Sequence, residues 1–356
     1  MSSEHYFGAG PAAIPLAVKQ QFQNAVIQYE DLPISILELS HRSEAFTEIL
    51  EDARKALRSL YTIPDNYHIL FMQGGATLQF DAVPLNLLGQ SHQATYVDTG
   101  LWSHRAANFA EKYTQVNLIS GLENVNGKSC CVSSSQWEYP KDSAYLYVVP
   151  NETVDGIALP EVEVIDMPIV ADMTSCFLMR TLDVSRYGVI FSATQKTLGI
   201  SGLTIVIIRE DLLDKASAET PYLLRYDEHV KENSIVNTSP VVACYITKLM
   251  LKWVCDHGGL DQMIQEASSR AKMLYSTIDE SDFWFNSVCN DSRSTMNVVF
   301  DCQDKNILSE FFERAEQQGL TGLKGHRQRG GVRASMYNGT PMEAVSQLTE
   351  LMRNYS

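Results

Sequence analysis

The chain has 356 residues, 45% of them hydrophobic and 20% charged. That balance suits a globular protein with a large core, built as two domains or as one large α/β domain with a smaller partner. Its 28 basic and 43 acidic side chains leave a net charge of −15, which argues against nucleic acid or an anionic membrane as partner. No apolar run reaches membrane-spanning length, and Met1 to Pro15 lacks a basic stretch followed by an apolar one. No HExxH, paired CxxC or EF-hand loop suggests a metal. The seven Cys, two of them adjacent (Cys130, Cys131), read as buried free thiols of a cytoplasmic protein.

In chain order, residues 43 to 60 predict an amphipathic helix, because Phe46, Ile49, Leu50, Ala53, Leu57 and Leu60 recur at helical spacing. Short apolar runs follow at His68–Met72, Ala94–Asp98, Ala144–Val149, Ile169–Ala171, Val189–Ser192 and Leu203–Ile208. Runs this short, apolar on both faces, predict strands of a mostly parallel sheet covered by helices. After Pro240 an apolar helix spans 241–255 and stops at Gly258-Gly259; 260–279 is helical again. A strand at Met296–Phe300, a helix at Asn306–Gln318, a strand at Gly331–Met336 and a helix from Pro341 make a small α+β unit. The domains are therefore 16–257, and 1–15 with 258–356.

Lys196 directly follows the apolar run at 189–192 and precedes the turn-rich Gly199-Ile200-Ser201-Gly202. An amine at the carboxyl end of a sheet strand lies where open α/β sheets bind ligands, and partial desolvation there favours the neutral nucleophile a Schiff base needs. By spacing alone, a surface-loop lysine is the plainer reading. Asp172 ends another buried run, and a carboxylate there needs a partner such as a protonated pyridine nitrogen; a turn cap is the plainer alternative. Trp102, after a third strand, can stack on a flat ring or simply pack the core. Gln73-Gly74-Gly75-Ala76-Thr77 opens a helix after a strand, so its N–H groups can hold a phosphate, yet it is neither a Walker loop nor GxGxxG. Lys324, His326, Arg327, Arg329 and Arg333 form a basic cluster against the acidic background. It reads as a solvated loop or as a pocket for two anions.

Taken in order, these pieces resemble the phosphoserine aminotransferase family, a fold-type I, class V group of enzymes dependent on pyridoxal 5′-phosphate (PLP). The resemblance runs from Phe7-Gly8-Ala9-Gly10-Pro11-Ala12 to Arg333-Ala334-Ser335-Met336-Tyr337-Asn338. It includes Glu38-Leu39-Ser40-His41-Arg42, Pro150-Asn151-Glu152-Thr153, Ser185-Arg186-Tyr187-Gly188-Val189-Ile190, Ala193-Thr194-Gln195-Lys196 and Lys324-Gly325-His326-Arg327.

The resemblance implies an α/β fold with a seven-stranded-type, mostly parallel sheet and a smaller C-terminal α+β domain. It implies Lys196 carrying PLP, Asp172 on the ring nitrogen, Trp102 on the ring face and Thr153 on the 3-hydroxyl. Ala76, Thr77 and Gln195 would hold the cofactor phosphate, joined by Asn237 and Thr238 from a second subunit of a homodimer. Arg333 would grip the α-carboxylate of the substrate, and His41, Arg42, His326 and Arg327 its distal anion, leaving Arg329 at the surface. The substrates implied are glutamate and 3-phosphohydroxypyruvate, with 4-phosphohydroxythreonine of pyridoxine biosynthesis as a further one. One departure is Gly74-Gly75-Ala76-Thr77-Leu78, where some members carry an arginine-bearing glycine loop. Another class V reaction, such as a different transamination or a desulfurase, or a ligand-binding relative without activity, stays open on the residues alone.

Overall fold

The computed structural model describes residues 4–355, so residues 1–3 of the predicted N-terminal crossing segment lie outside it. The chain opens with β1 (His5–Tyr6), α1 (Leu16–Ile27) and α2 (Glu44–Tyr61). It continues through β2 (Tyr67–Gln73), α3 (Ala76–Leu87), β3 (Gln93–Asp98), α4 (Leu101–Ala110) and β4 (Gln115–Ser120). A hairpin of β5 (Leu122–Val125) and β6 (Lys128–Cys131) precedes β7 (Leu146–Val148), β8 (Asn151–Glu152), β9 (Ile157–Ala158), β10 (Ile169–Asp172), β11 (Val189–Ala193) and β12 (Leu203–Arg209). Helices α5 (Tyr226–Lys231), α6 (Val241–Asp256) and α7 (Gly259–Asp279) lead to β13 (Trp284–Phe285), β14 (Asn297–Cys302), α8 (Ile307–Gln317), β15 (Leu320–Thr321), β16 (Val332–Ser335) and α9 (Met342–Arg353).

The six apolar runs between residues 68 and 208 assemble, with β4 as the seventh member, into one seven-stranded sheet of order β2-β12-β11-β10-β7-β3-β4. Only β12 runs against its neighbours β2 and β11; the pairings among β11, β10, β7, β3 and β4 are parallel. Alternate residues of β2 and β12 enter different cores. Phe71 and Ile205 pack with Ile49, Leu50 and Leu57 of α2, whereas Met72 and Val206 pack with Phe80 and Val83 of α3. Both faces are thus covered, which is why these strands read as continuous apolar runs. Ser43 caps α2 by accepting the Phe46 N–H at 3.2 Å, so that helix starts where its sequence pattern does.

A separate core joins Leu274, Trp284, Phe300, Phe311, Ala334 and Leu348, and Phe7 is buried in it. The N-terminal segment is tied there by pairing of β1 with β15. Helix α7 serves both cores: Met263 and Ala267 pack with the large sheet, Ala271 and Leu274 with the small one. Among the described residues no helix is long and apolar enough to cross a membrane, and no group of His, Cys, Asp or Glu could hold a metal ion.

One expectation is corrected. Cys130 and Cys289 are joined in a disulfide, Cα–Cα 5.0 Å, leaving Cys131, Cys176, Cys244, Cys255 and Cys302 free. Of these Cys255 is exposed and Cys131 half-buried. The pairing follows from backbone bonds that lay the two segments side by side, Ser129 N–H to Ser287 O at 2.8 Å and Cys289 N–H to Ser129 O at 2.9 Å.

Candidate active site

Strands β10 and β11 are parallel neighbours with Asp172 in register with Phe191, so their carboxyl ends deliver polar residues to the same edge. That edge is where parallel sheets leave a crevice. Asp172 is the last residue of β10. Beyond β11, Thr194 and Gln195 lead to Lys196, with the Thr194 hydroxyl bonded to the carbonyls of Ile200 and Leu203. The N-terminal segment passes over the lysine, Ala12 N–H bonding Gln195 O at 2.9 Å. Gly10 sits at φ +135°, and a Cβ there would lie 3.3 Å from Lys196 Cγ. Only glycine combines that backbone with so close an approach.

A cavity of about 330 Å³ opens at this edge, lined by Gly10, Ala76, Thr77, Trp102, Thr153, Asp172, Gln195, Lys196, His326 and Arg333 among others. Lys196 is half-buried, its amine 5.8 Å from the centroid of the Trp102 ring. Burial pushes its pKa down to about 8, against the upward pull of Asp172 and Glu152. Burial also raises the Asp172 carboxyl above the ordinary aspartate range, although it accepts the Thr174 N–H at 2.9 Å. The Trp102 indole N–H donates to the Thr153 hydroxyl at 2.9 Å, which leaves the hydroxyl proton of Thr153 free for a ligand. Helix α3 starts at Ala76 after Gly75 with no side-chain cap, so its first N–H groups face the cavity without intrahelical acceptors. Arg333 Nε is buried with no hydrogen-bond partner, a donor that a carboxylate would satisfy.

An amine titrating near 8 rather than 10.5 has a testable consequence. The rate at which the protein without cofactor captures an aldehyde should climb with pH and level off above about 8. A rate still climbing through about pH 10 would mark an ordinary exposed lysine.

A family model for class-V aminotransferases matches residues 5–348. The chain belongs to the class-V aminotransferase family. The phosphoserine aminotransferase of Acinetobacter baylyi is 41% identical over 349 residues, covering 98% of this chain and 97% of that protein. The solved phosphoserine aminotransferase of Bacillus circulans subsp. alkalophilus superposes with a TM-score of 0.95 at 35% identity, over 100% of this chain and 99% of that one. A PLP-bound phosphoserine aminotransferase from Trichomonas vaginalis superposes with a TM-score of 0.93 at 34% identity, over 99% and 100% of the two chains.

Not every residue predicted for the site of this class-V aminotransferase lines the cavity of a single chain. Arg327 is exposed on the loop before β16, although its neighbour His326 and Arg333 of β16 do line it. His41 is half-buried and Arg42 exposed in the turn before α2. Asn237 and Thr238 lie beside Gln73, with Asn237 Nδ2 donating to Gln73 Oε1 at 3.1 Å and Gln73 Nε2 to the Thr238 carbonyl. Arg329, assigned to the surface from sequence, is instead mostly buried: it faces Asp155 at 3.5 Å and reaches the Ser287 hydroxyl.

Sequence reasoning missed Glu152, fully buried behind Trp102, and Asn151 beside it. Asn151 Nδ2 bonds Ser175 and Asn297, both at 2.8 Å, and Asn297 Nδ2 bonds Ser335 at 3.0 Å. That chain ties the large sheet's edge to the strand carrying Arg333. The adjacent polar triplet Asn151-Glu152-Thr153 after an apolar run was the available signal.

Proposed function

We propose that this class-V aminotransferase is a phosphoserine aminotransferase that uses PLP. It would move an amino group between glutamate and 3-phosphohydroxypyruvate, giving O-phosphoserine and 2-oxoglutarate for serine biosynthesis. The observation that carries the reading is one cavity in which a readily neutral Lys196 amine meets a buried acid, an indole and Arg333, whose Nε has no hydrogen-bond partner. Relatives of that name matching the chain end to end support it.

The residues fit the cofactor. Asp172, kept from water and lacking a strong cation, suits a protonated pyridine nitrogen. Trp102 supplies a face, Thr153 a hydroxyl proton for the ring 3-hydroxyl, and the uncapped start of α3 at Ala76 and Thr77, with Gln195, donors for its phosphate. Bound there, PLP supplies an electrophilic carbonyl for the substrate amine and an electron sink for the charge left at Cα. Lys196 Nζ takes the Cα proton as general base and returns it as acid, a role served by titration near working pH. Asp172 keeps the ring nitrogen protonated. Arg333 orients the α-carboxylate through its planar fork. His326, neutral more readily than an ordinary imidazole because of burial and the nearby Arg333 and Arg327, hydrogen-bonds the distal anion while Arg327 supplies its countercharge. Removing the phosphate from the keto acid should abolish most activity with glutamate as donor; equal turnover of both keto acids would sink the reading.

Arg327→Ala should weaken the phosphorylated substrate roughly tenfold or more while leaving PLP binding near the wild-type value. Parallel loss of both would contradict the assignment. His41, Arg42, Asn237 and Thr238 complete the site across a homodimer. The exposed apolar side chains Leu16, Ile27, Leu32 and Leu37 on and after α1 support such an interface. Residues 16–257 form the PLP-binding domain, and 1–15 with 258–356 the small domain, a division supported by Phe7 packing with Leu274 and Phe300. The five free thiols fit a cytoplasmic location, and the Cys130–Cys289 disulfide is the feature that runs against it.

A further inference from the structure

Glu152 is the buried acid with no part in the chemistry above. It stands at 0% exposure at the end of β8, and every hydrogen bond to its carboxylate comes from the first turn of α4. Oε2 accepts the Trp102 N–H at 3.1 Å; Oε1 accepts the Ser103 N–H at 2.8 Å and the Ser103 hydroxyl at 2.9 Å. That hydroxyl in turn accepts the N–H groups of Thr99 and Gly100 at 2.8 and 3.0 Å. The carboxylate therefore organises the whole strand-to-helix turn that carries the indole. A helix start is a favourable seat for an anion. The approach is so close that Gly100, at φ +154°, has no room for a side chain: its Cβ would lie 2.9 Å from Glu152 Cδ.

The next residue along, Thr153, accepts the Trp102 indole N–H at 2.9 Å. Two consecutive residues thus hold Trp102 at both ends, Glu152 by its backbone and Thr153 by its ring. A buried residue that merely filled space beside α4 would not need a charge, and burying a carboxylate is costly unless the charge is used.

We propose that Glu152 is a positioning residue of the transamination site. Its carboxylate clamps the first turn of α4 and so fixes the Trp102 indole against the cofactor ring that Lys196 holds. The inference rests on the PLP reading given above. Burial pushes the carboxyl up to about 7, and its charge raises the affinity of the Lys196 amine for a proton, so the clamp also couples to the lysine electrostatically.

Glu152→Gln keeps the shape, removes the charge and turns one acceptor into a donor that must face an N–H. Loss of hydrogen bonds to a charged group predicts release of PLP roughly ten- to a hundredfold faster. The visible band of the bound cofactor should titrate at lower pH, because a negative charge near Lys196 is gone. A purely structural role would not move that titration. Because Glu152 acts through Trp102, the effects of Glu152→Gln and Trp102→Phe on PLP release should be strongly non-additive. Unchanged PLP release and an unmoved titration in a folded Glu152→Gln protein, or full additivity with Trp102→Phe, overturn the proposal. If Glu152→Gln does not fold, Ser103→Ala removes one donor and keeps the charge; unaltered PLP release there overturns it equally. A wild-type protein that takes up no PLP would instead refute the functional reading itself.

Discussion

Lys196→Ala is expected to give a folded protein that binds PLP without a covalent link and transaminates at least roughly 10³-fold more slowly. General acid–base catalysis alone is worth about 10²–10⁴-fold, and on the reading proposed above the same amine would also form the link to the cofactor. No other lysine lines the cavity, so none is placed to take over. Folding should survive, because burial outweighs the attraction of Asp172 and Glu152 and brings the amine's pKa down to about 8, so the charged lysine does not stabilise the fold. Two measurements check this. Borohydride should fix the visible absorbance onto the wild-type chain and leave the variant's cofactor removable by dialysis. Single-turnover reaction with glutamate should show the missing proton transfer directly, and a variant with ordinary single-turnover rates would end the assignment.

The position of that lysine was legible because short runs apolar on both faces must pair with one another inside a covered sheet, and a parallel sheet leaves its polar residues at one edge. Asp172, Trp102 and Thr153 join Lys196 in one cavity for that reason. What escaped is non-local or shallow. Strand β4 lies at the sheet's edge with half its residues exposed, so Gln115–Ser120 shows no apolar run. Glu152 finds its partners about 50 residues away, and nothing in a two-residue strand announces them. Arg329 reads as one charge among several in a basic loop, yet Asp155 and Ser287 draw it inward. Cys130 and Cys289 are 159 residues apart, and no spacing rule joins cysteines at that range.

Asp172→Asn should act in opposite directions on stability and on catalysis. Without cofactor, burial holds the Asp172 carboxyl above the ordinary aspartate range, with Thr174 and Lys196 only partly offsetting it. The native state therefore keeps this proton at pH values where the unfolded chain has lost it, and stability falls as pH rises through that window. The penalty is fully present above the folded-state pKa and disappears below the unfolded value of about 3.9. The neutral amide escapes it, so the cofactor-free variant should melt at or above the wild-type temperature at neutral pH, the difference vanishing in acid. With PLP bound the sign reverses. The ring nitrogen loses the anion that keeps it protonated, and leaving one member of a buried ion pair alone costs about 3–5 kcal/mol. That corresponds to a fall in turnover of roughly 10²–10⁴-fold. Differential scanning calorimetry of the cofactor-free proteins and steady-state assay of the loaded ones separate the two effects. An Asn variant that is both less stable when empty and fully active when loaded would mean that Asp172 only caps the turn through Thr174, and that the ring nitrogen finds its partner elsewhere.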